Sequence, residues 1–194
     1  MREAKARRKT KETDVEIQLN IDGTGKSEVK VPLKFLSHML DSFSKHSGFD
    51  LKIKAKGDLE IDDHHLVEDV GITLGEALNK ALGDKKGITR MAYSIVPMED
   101  SKAEVSVDLS GRPYAKIELP FSEFQDRRVG DTSKENIVHF LESFALNGKF
   151  NLNIKVEGRN DHHKVESCFK ALANALKEAV KITGKGIPST KGVI

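Results

Sequence analysis

The chain has 194 residues, enough for one substantial domain or two small ones, and its 38% hydrophobic and 32% charged content suits a polar globular fold. Lys and Arg total 32 against 30 Asp and Glu, so the net charge of +2 leaves no electrostatic footprint for nucleic acid or a membrane surface as partner. Cys168 is the one cysteine and cannot form an internal disulfide, no apolar run nears the roughly 20 residues of a membrane helix, and Met1 to Lys11 is too basic for a secretory signal. A cytoplasmic protein is expected.

In chain order, Val15, Ile17, Leu19 and Ile21 alternate with polar residues and predict a half-buried strand. Phe35, Leu36, Met39, Leu40 and Phe43 recur at helical spacing over 34–46. Phe49, Leu51, Ile53 and Ala55 share one face of the next strand, with lysines on the other. Leu66, Val70, Leu74, Ala77, Leu78 and Leu82 then make a long amphipathic helix, closed by Gly83. The same order follows again. Ala103, Val105, Val107 and Leu109 alternate; Ile137, Val138, Phe140, Leu141 and Phe144 mark a helix over 135–146; Val165, Phe169, Leu172, Leu176 and Val180 mark the last one.

This recurrence is a duplication. Leu36 to Phe43 matches Ile137 to Phe144, and Phe49 to Gly57 matches Phe150 to Gly158, both at an offset of 101. Asp63-His64-His65 with Glu68 then matches Asp161-His162-His163 with Glu166 at an offset of 98, the loop between differing by three residues. Residues 1–194 therefore read as one domain made of two repeats, about 1–92 and 93–194, each too long for a solenoid unit. The expected class is α+β, an α/β two-layer sandwich with two sheets each covered by two helices.

Six of the seven histidines fall into three duplicated pairs: His38 with His139, His64 with His162, and His65 with His163. Adjacent helical residues project about 100° apart, so His64 and His65 are suited to two different ions rather than one. Glu68 lies three residues from His65 and four from His64, close enough to share a helix face with either. Six histidines and two carboxylates give three His and one Glu per ion for two ions. That leaves open positions on an octahedral metal, whereas a purely structural site usually closes with four ligands. Imidazole with carboxylate suits manganese, iron, zinc or cobalt. Because His binds metal only when neutral, activity and assembly should fall together below about pH 6. Cys168 sits on the last helix and reads as a small buried residue rather than a nucleophile. Glu12, by itself, reads as a charged residue in a mobile N-terminal tail.

Several ordered blocks make the chain resemble the imidazoleglycerol-phosphate dehydratases of histidine biosynthesis. They are Thr10-Lys11-Glu12-Thr13, Asn20 to Gly25, His38 to His46, Asp62 to Asp69, Asp108 to Pro113, Asn160 to Glu166, and Pro188-Ser189-Thr190-Lys191-Gly192. The resemblance covers nearly the whole chain, without the additional phosphatase domain of some members. It implies a duplicated module of a four-stranded sheet covered by two helices, with a left-handed βαβ crossover. It also implies a hydro-lyase that turns D-erythro-imidazole glycerol phosphate into imidazole acetol phosphate and water at two Mn2+ ions. Its assembly would be a 24-subunit shell of trimers, with metal and substrate sites between subunits.

By that resemblance His38, His64, His65, Glu68, His139, His162, His163 and Glu166 are the metal ligands. Glu12 is the catalytic base, and Arg90, Arg112, Lys170, Ser189 and Lys191 contact phosphate and substrate. His46, the unpaired histidine, is expected beside the substrate or behind the ligands. At Ser42 the chain departs from the Gln usual in the family, so no polar contact is assigned there. The implied chemistry holds the substrate ring as a di-metal-bound imidazolate, expels hydroxide from the adjacent carbon, and removes a carbon proton so that the enol becomes a ketone. Three rival readings fit parts of the pattern: a scaffold using metals only to join subunits, a metal-dependent hydrolase of another phosphorylated molecule, and an RNA-binding module. The scaffold leaves Arg112 and the Ser-Thr-Lys-Gly tail unexplained, and few aromatics argue against RNA.

Overall fold

The computed structural model describes all residues except 124, 125 and 193. The first repeat runs β1 (Glu3–Lys9), β2 (Thr13–Asn20), β3 (Ser27–Lys30), α1 (Lys34–Ser47), β4 (Asp50–Gly57) and α2 (His64–Leu82). The second runs β5 (Met91–Met98), β6 (Ser101–Asp108), β7 (Tyr114–Glu118), the two-residue strands β8 (Arg128–Val129) and β9 (Thr132–Ser133), α3 (Lys134–Gly148), β10 (Asn151–Glu157) and α4 (Asp161–Ala179). Each repeat forms one four-stranded sheet, in the orders β1-β2-β4-β3 and β5-β6-β10-β7. The last pair in each is parallel and joined through a helix, α1 in one and α3 in the other.

The alternating residues do what their pattern dictates. Val15, Ile17 and Leu19 face inward opposite Ala55, Ile53 and Leu51, all buried. The N-terminal segment corrects the expectation of a mobile tail. Residues 3–9 pair with β2, Ala6 lies opposite Ile17 and is buried, and the charged residues between face solvent. Alanine on the inner face carries little hydrophobic signal, so the strand is set by its partner rather than by its own propensity.

The four helices occupy the space between the sheets. Helices α1 and α2 lie on the first sheet and α3 and α4 on the second, and the repeats meet through α2 on α3 and α1 on α4. At the centre, the Phe43 ring stands edge-on to Phe49 and Phe144, while Phe140 stacks on Phe169. The α2–α3 contact is close because α2 carries Gly71 and Gly75 there. A β-carbon on Gly75 would sit 2.6 Å from the Gly148 nitrogen and the Phe144 carbonyl oxygen, both backbone atoms. Gly75→Ala is therefore expected to cost about 1–3 kcal/mol by overpacking, despite alanine's better helix propensity. Denaturant unfolding of the metal-free protein measures this; an unchanged midpoint would mean that α2 and α3 separate freely.

Candidate metal centres

Both histidine pairs sit in the first turn of a helix, α2 or α4. The aspartate heading each block points away from them and fixes the helix start. Asp63 accepts from the Ser133 N–H at 2.7 Å and the Ser133 hydroxyl at 2.6 Å. Asp161 pairs with Lys134 at 2.7 Å and Lys164 at 2.8 Å. The side chain of Asn160 caps α4, accepting from the N–H groups of His162 and His163. Adjacent residues of the second repeat thus anchor both helix starts.

The pairing left open by spacing is resolved in favour of i, i+4, and it crosses the repeats. His162 Nε2 is 3.2 Å from Glu166 Oε2, and His38 Nε2 of the other repeat is 3.8 Å from that same oxygen. His64 Nε2 is 3.8 Å from Glu68 Oε2, and the His139 ring centroid lies 4.9 Å from that of His64. Ligand atoms of His38, His162 and Glu166 all lie within 4.8 Å of one another, and an ion with bonds of about 2.0–2.2 Å fits such a set. Two imidazoles and one carboxylate are a donor set for a divalent transition metal. Of the three His and one Glu per ion that the sequence offers, one chain by itself gathers two His and one Glu at His38, His162 and Glu166.

His65 and His163 turn away from their neighbours, the rings 6.1 and 6.2 Å apart and nearly perpendicular in each pair. His65 Nδ1 meets Asp58 at 3.0 Å, and His163 Nδ1 meets Asp100 at 2.6 Å. Each aspartate raises the pKa of its histidine. His163, with the N–H groups of Asn160 and Arg159, holds the Asp100 carboxyl far below the usual range. Neither carboxylate is apparent from the sequence, because each lies in a loop with no spacing relation to its histidine.

Glu12 lies in the β1–β2 turn, its carboxylate 3.9 Å from His65 Nδ1 and more than half exposed. The turn is fixed: Thr10 Oγ1 accepts from the N–H groups of Glu12 and Thr13, at 3.0 and 2.9 Å. The Thr13 hydroxyl donates to buried Asp69 on α2, which also accepts from Arg8 at 2.5 Å. That tether is a second feature that composition and periodicity do not disclose.

Lys170, one turn beyond Glu166, pairs with it at 2.7 Å. Burial pushes the Glu166 carboxyl up, but Lys170, His162 and His38 outweigh it and hold it low. His46, in the last turn of α1, has its pKa lowered by burial and by Lys170. The remaining predicted contacts gather elsewhere. Arg90, with φ of 74°, forks onto Asp108 at 2.7 and 3.0 Å and donates to the Pro188 carbonyl at 2.7 Å, pinning the tail. Gly192 N–H closes a turn onto the Ser189 carbonyl, and Lys191 N–H donates to Ser189 Oγ. Arg112 is exposed in the β6–β7 loop, its carbonyl accepting from the Asn151 amide at 2.7 Å. Cys168 is fully buried, which pushes its thiol up to about 12 and leaves it unreactive. A 660 Å³ concavity on the outer face of the first sheet contains none of these residues.

A family model for imidazoleglycerol-phosphate dehydratase matches residues 31–176. The chain belongs to that family. An imidazoleglycerol-phosphate dehydratase of Methanothermobacter thermautotrophicus is 55% identical over 192 residues, 99% of this chain and 97% of that one. One from Methanococcoides burtonii is 52% identical over 194 residues, covering both chains fully. The crystal structure of the Staphylococcus aureus dehydratase matches with a TM-score of 0.83 and 34% identity, covering 93% of this chain and 99% of that one. The Pyrococcus furiosus dehydratase, solved in complex with (S)-C348, also gives 0.83, with 38% identity over 97% and 99%. As a member of the dehydratase family the chain is a hydro-lyase of the dehydration step in histidine biosynthesis. Among the described residues no helix is long and apolar enough to cross a membrane.

Proposed function

We propose that this chain dehydrates D-erythro-imidazole glycerol phosphate to imidazole acetol phosphate, with two divalent ions, manganese by preference, at the cross-repeat clusters. The observation that carries this reading is that His38 converges on His162 and Glu166, while the His139 ring packs against that of His64, whose Nε2 lies 3.8 Å from Glu68. When bound, the ions supply Lewis-acid stabilisation of negative charge on the substrate's imidazole. The chain's own residues do the rest. Glu12 takes the proton from the second carbon of the side chain, as hydroxide leaves the carbon bonded to the ring; the enol formed becomes the ketone. Lys170 and His46 line the Glu166 cluster, where they orient the substrate hydroxyls. Arg112, Ser189 and Lys191 hold the phosphate, and Arg90 fixes the tail that carries two of them.

Distances within the chain support a site shared between chains. Lys170 Nζ reaches Met98 at the end of β5, whereas Arg90 and the tail lie at its start. An eight-residue strand spans about 24 Å, and three carbons between imidazole and phosphate cannot bridge that. The phosphate and the imidazole are therefore held by groups of different subunits, and neighbouring chains supply the third His of each ion. Trimers building a 24-subunit cytoplasmic shell meet this need. The outer face of the second sheet, with Met91, Tyr93, Ile95 and Tyr114 exposed, is a contact surface for such assembly.

Glu12→Gln should lower kcat by about 10²–10⁴-fold with metal content unchanged. Steady-state kinetics alongside metal analysis checks this, and full turnover by the variant removes Glu12 from the mechanism.

A further inference from the structure

The duplication is strict for the metal ligands and broken in the carboxylates around them. Ile17 lies opposite Ile53 in one sheet, and Val105 lies opposite Ile154 in the other. This register makes Glu12 and Asp100 counterparts in the two hairpin turns, followed by Thr13 and Ser101. Asp58, just past β4, has Arg159 as its counterpart past β10. Yet the carboxylate on His65 Nδ1 is Asp58, and the one on His163 Nδ1 is Asp100. The two repeats solve the same orientation problem from non-equivalent positions.

A carboxylate can only accept, so each contact requires the proton on Nδ1, and in the neutral ring that metal binding needs this leaves the lone pair on Nε2. The two carboxylates are supported differently. Asp100 accepts from the backbone N–H groups of Arg159 and Asn160 at 2.7 and 2.9 Å. Asp58 is 13% exposed and spends one oxygen on His65, while its other oxygen is buried without a hydrogen-bond partner among the described residues. Glu12, by contrast, stops 3.9 Å from the same His65 nitrogen.

Resting on the proposed metal-dependent reading, we infer that Asp58 and Asp100 are positioning residues, each fixing the tautomer and ring direction of its histidine so that Nε2 is the metal-binding atom. Because Asp58 makes the hydrogen bond in the first repeat, the turn carboxylate of that repeat, Glu12, keeps only its longer 3.9 Å approach to His65 and is left to move a proton. Its counterpart Asp100 is spent on orientation. The divergence of the two copies thus separates one base from one anchor.

The experiment uses assembled, manganese-loaded enzyme and measures manganese retention against a competing chelator, together with kcat at saturating manganese. Asp58→Asn and Asp100→Asn should each weaken manganese binding by about 10–100-fold, the usual effect of losing such an outer partner. Asp58→Asn should also lower kcat beyond Asp100→Asn, because His65 then draws Glu12 into the vacated contact. Asp100→Glu and Asp58→Glu, which keep the carboxylate, should recover part of the affinity; should an Asn variant fail to assemble, the Glu pair carries the same comparison. Asp14→Asn, at an exposed pair with Arg7, should change neither quantity. Manganese affinity unchanged in both Asn variants would overturn this inference. Parent enzyme that binds no manganese would instead sink the metal-dependent reading beneath it.

Discussion

Glu166→Gln is expected to lower turnover of imidazole glycerol phosphate at least about a thousandfold, or roughly 4 kcal/mol of transition-state stabilisation. Both His38 and His162 approach its carboxylate, at 3.8 and 3.2 Å. The amide keeps the shape and removes the charge, so the helix persists while the donor set loses its anion. The ion lost should be one of two per chain, leaving the Glu68 cluster filled. Metal analysis and kinetics on the same preparation check both parts. A variant with full activity and two ions would show that the His38–His162–Glu166 convergence is not a metal site.

The largest stability effect is expected at Asp161. Its carboxylate lies between Lys134 and Lys164, both side chains at most 10% exposed. Once Asp161 is truncated, Lys134 keeps the Ser122 carbonyl and the face of the Phe121 ring, and Lys164 keeps the Pro120 carbonyl, none of them a counter-charge. Breaking a buried pair leaves uncompensated charge, so Asp161→Ala should cost about 3–5 kcal/mol. That lowers the melting temperature of the metal-free protein by roughly 10 °C. Burial pushes the Asp161 carboxyl up, but hydrogen bonds from Lys134, Lys164 and the Ser122 N–H outweigh it and hold the pKa below its ordinary value. A depressed carboxylate pKa contributes stability that is complete above the unfolded value near 3.9 and disappears as pH falls through the folded one. The gap between variant and parent should therefore be full at pH 5 and close only below about pH 4. A gap of the same size at pH 2 would mean that the loss is one of packing and not of charge.

The candidate ligands stand out in the sequence because duplication repeats them with their apolar context, and histidine is rare enough here for six of seven to be noticed. The long helices were equally plain: Leu66 through Leu82 marks one stripe, and the structure buries it. Which histidines meet was not readable, because it depends on two helices from different repeats touching. For α2 and α3 that contact is made close by Gly71 and Gly75, whose absent side chains leave no hydrophobic signal. Strand β1 was hidden for a related reason, since Ala4 and Ala6 barely register against the surrounding charges. The carboxylates Asp58 and Asp100 and the Thr13–Asp69 tether join residues distant in sequence, with no periodicity to relate them.

The proposed dehydration requires two bound ions per chain. The direct test is to strip the metal, confirm its removal, and follow imidazole acetol phosphate formation before and after adding manganese. The stripped protein should show no turnover, and activity should recover as two ions per chain return. Turnover by the stripped protein would contradict this reading, as would full metal uptake with no turnover, the behaviour of a scaffold.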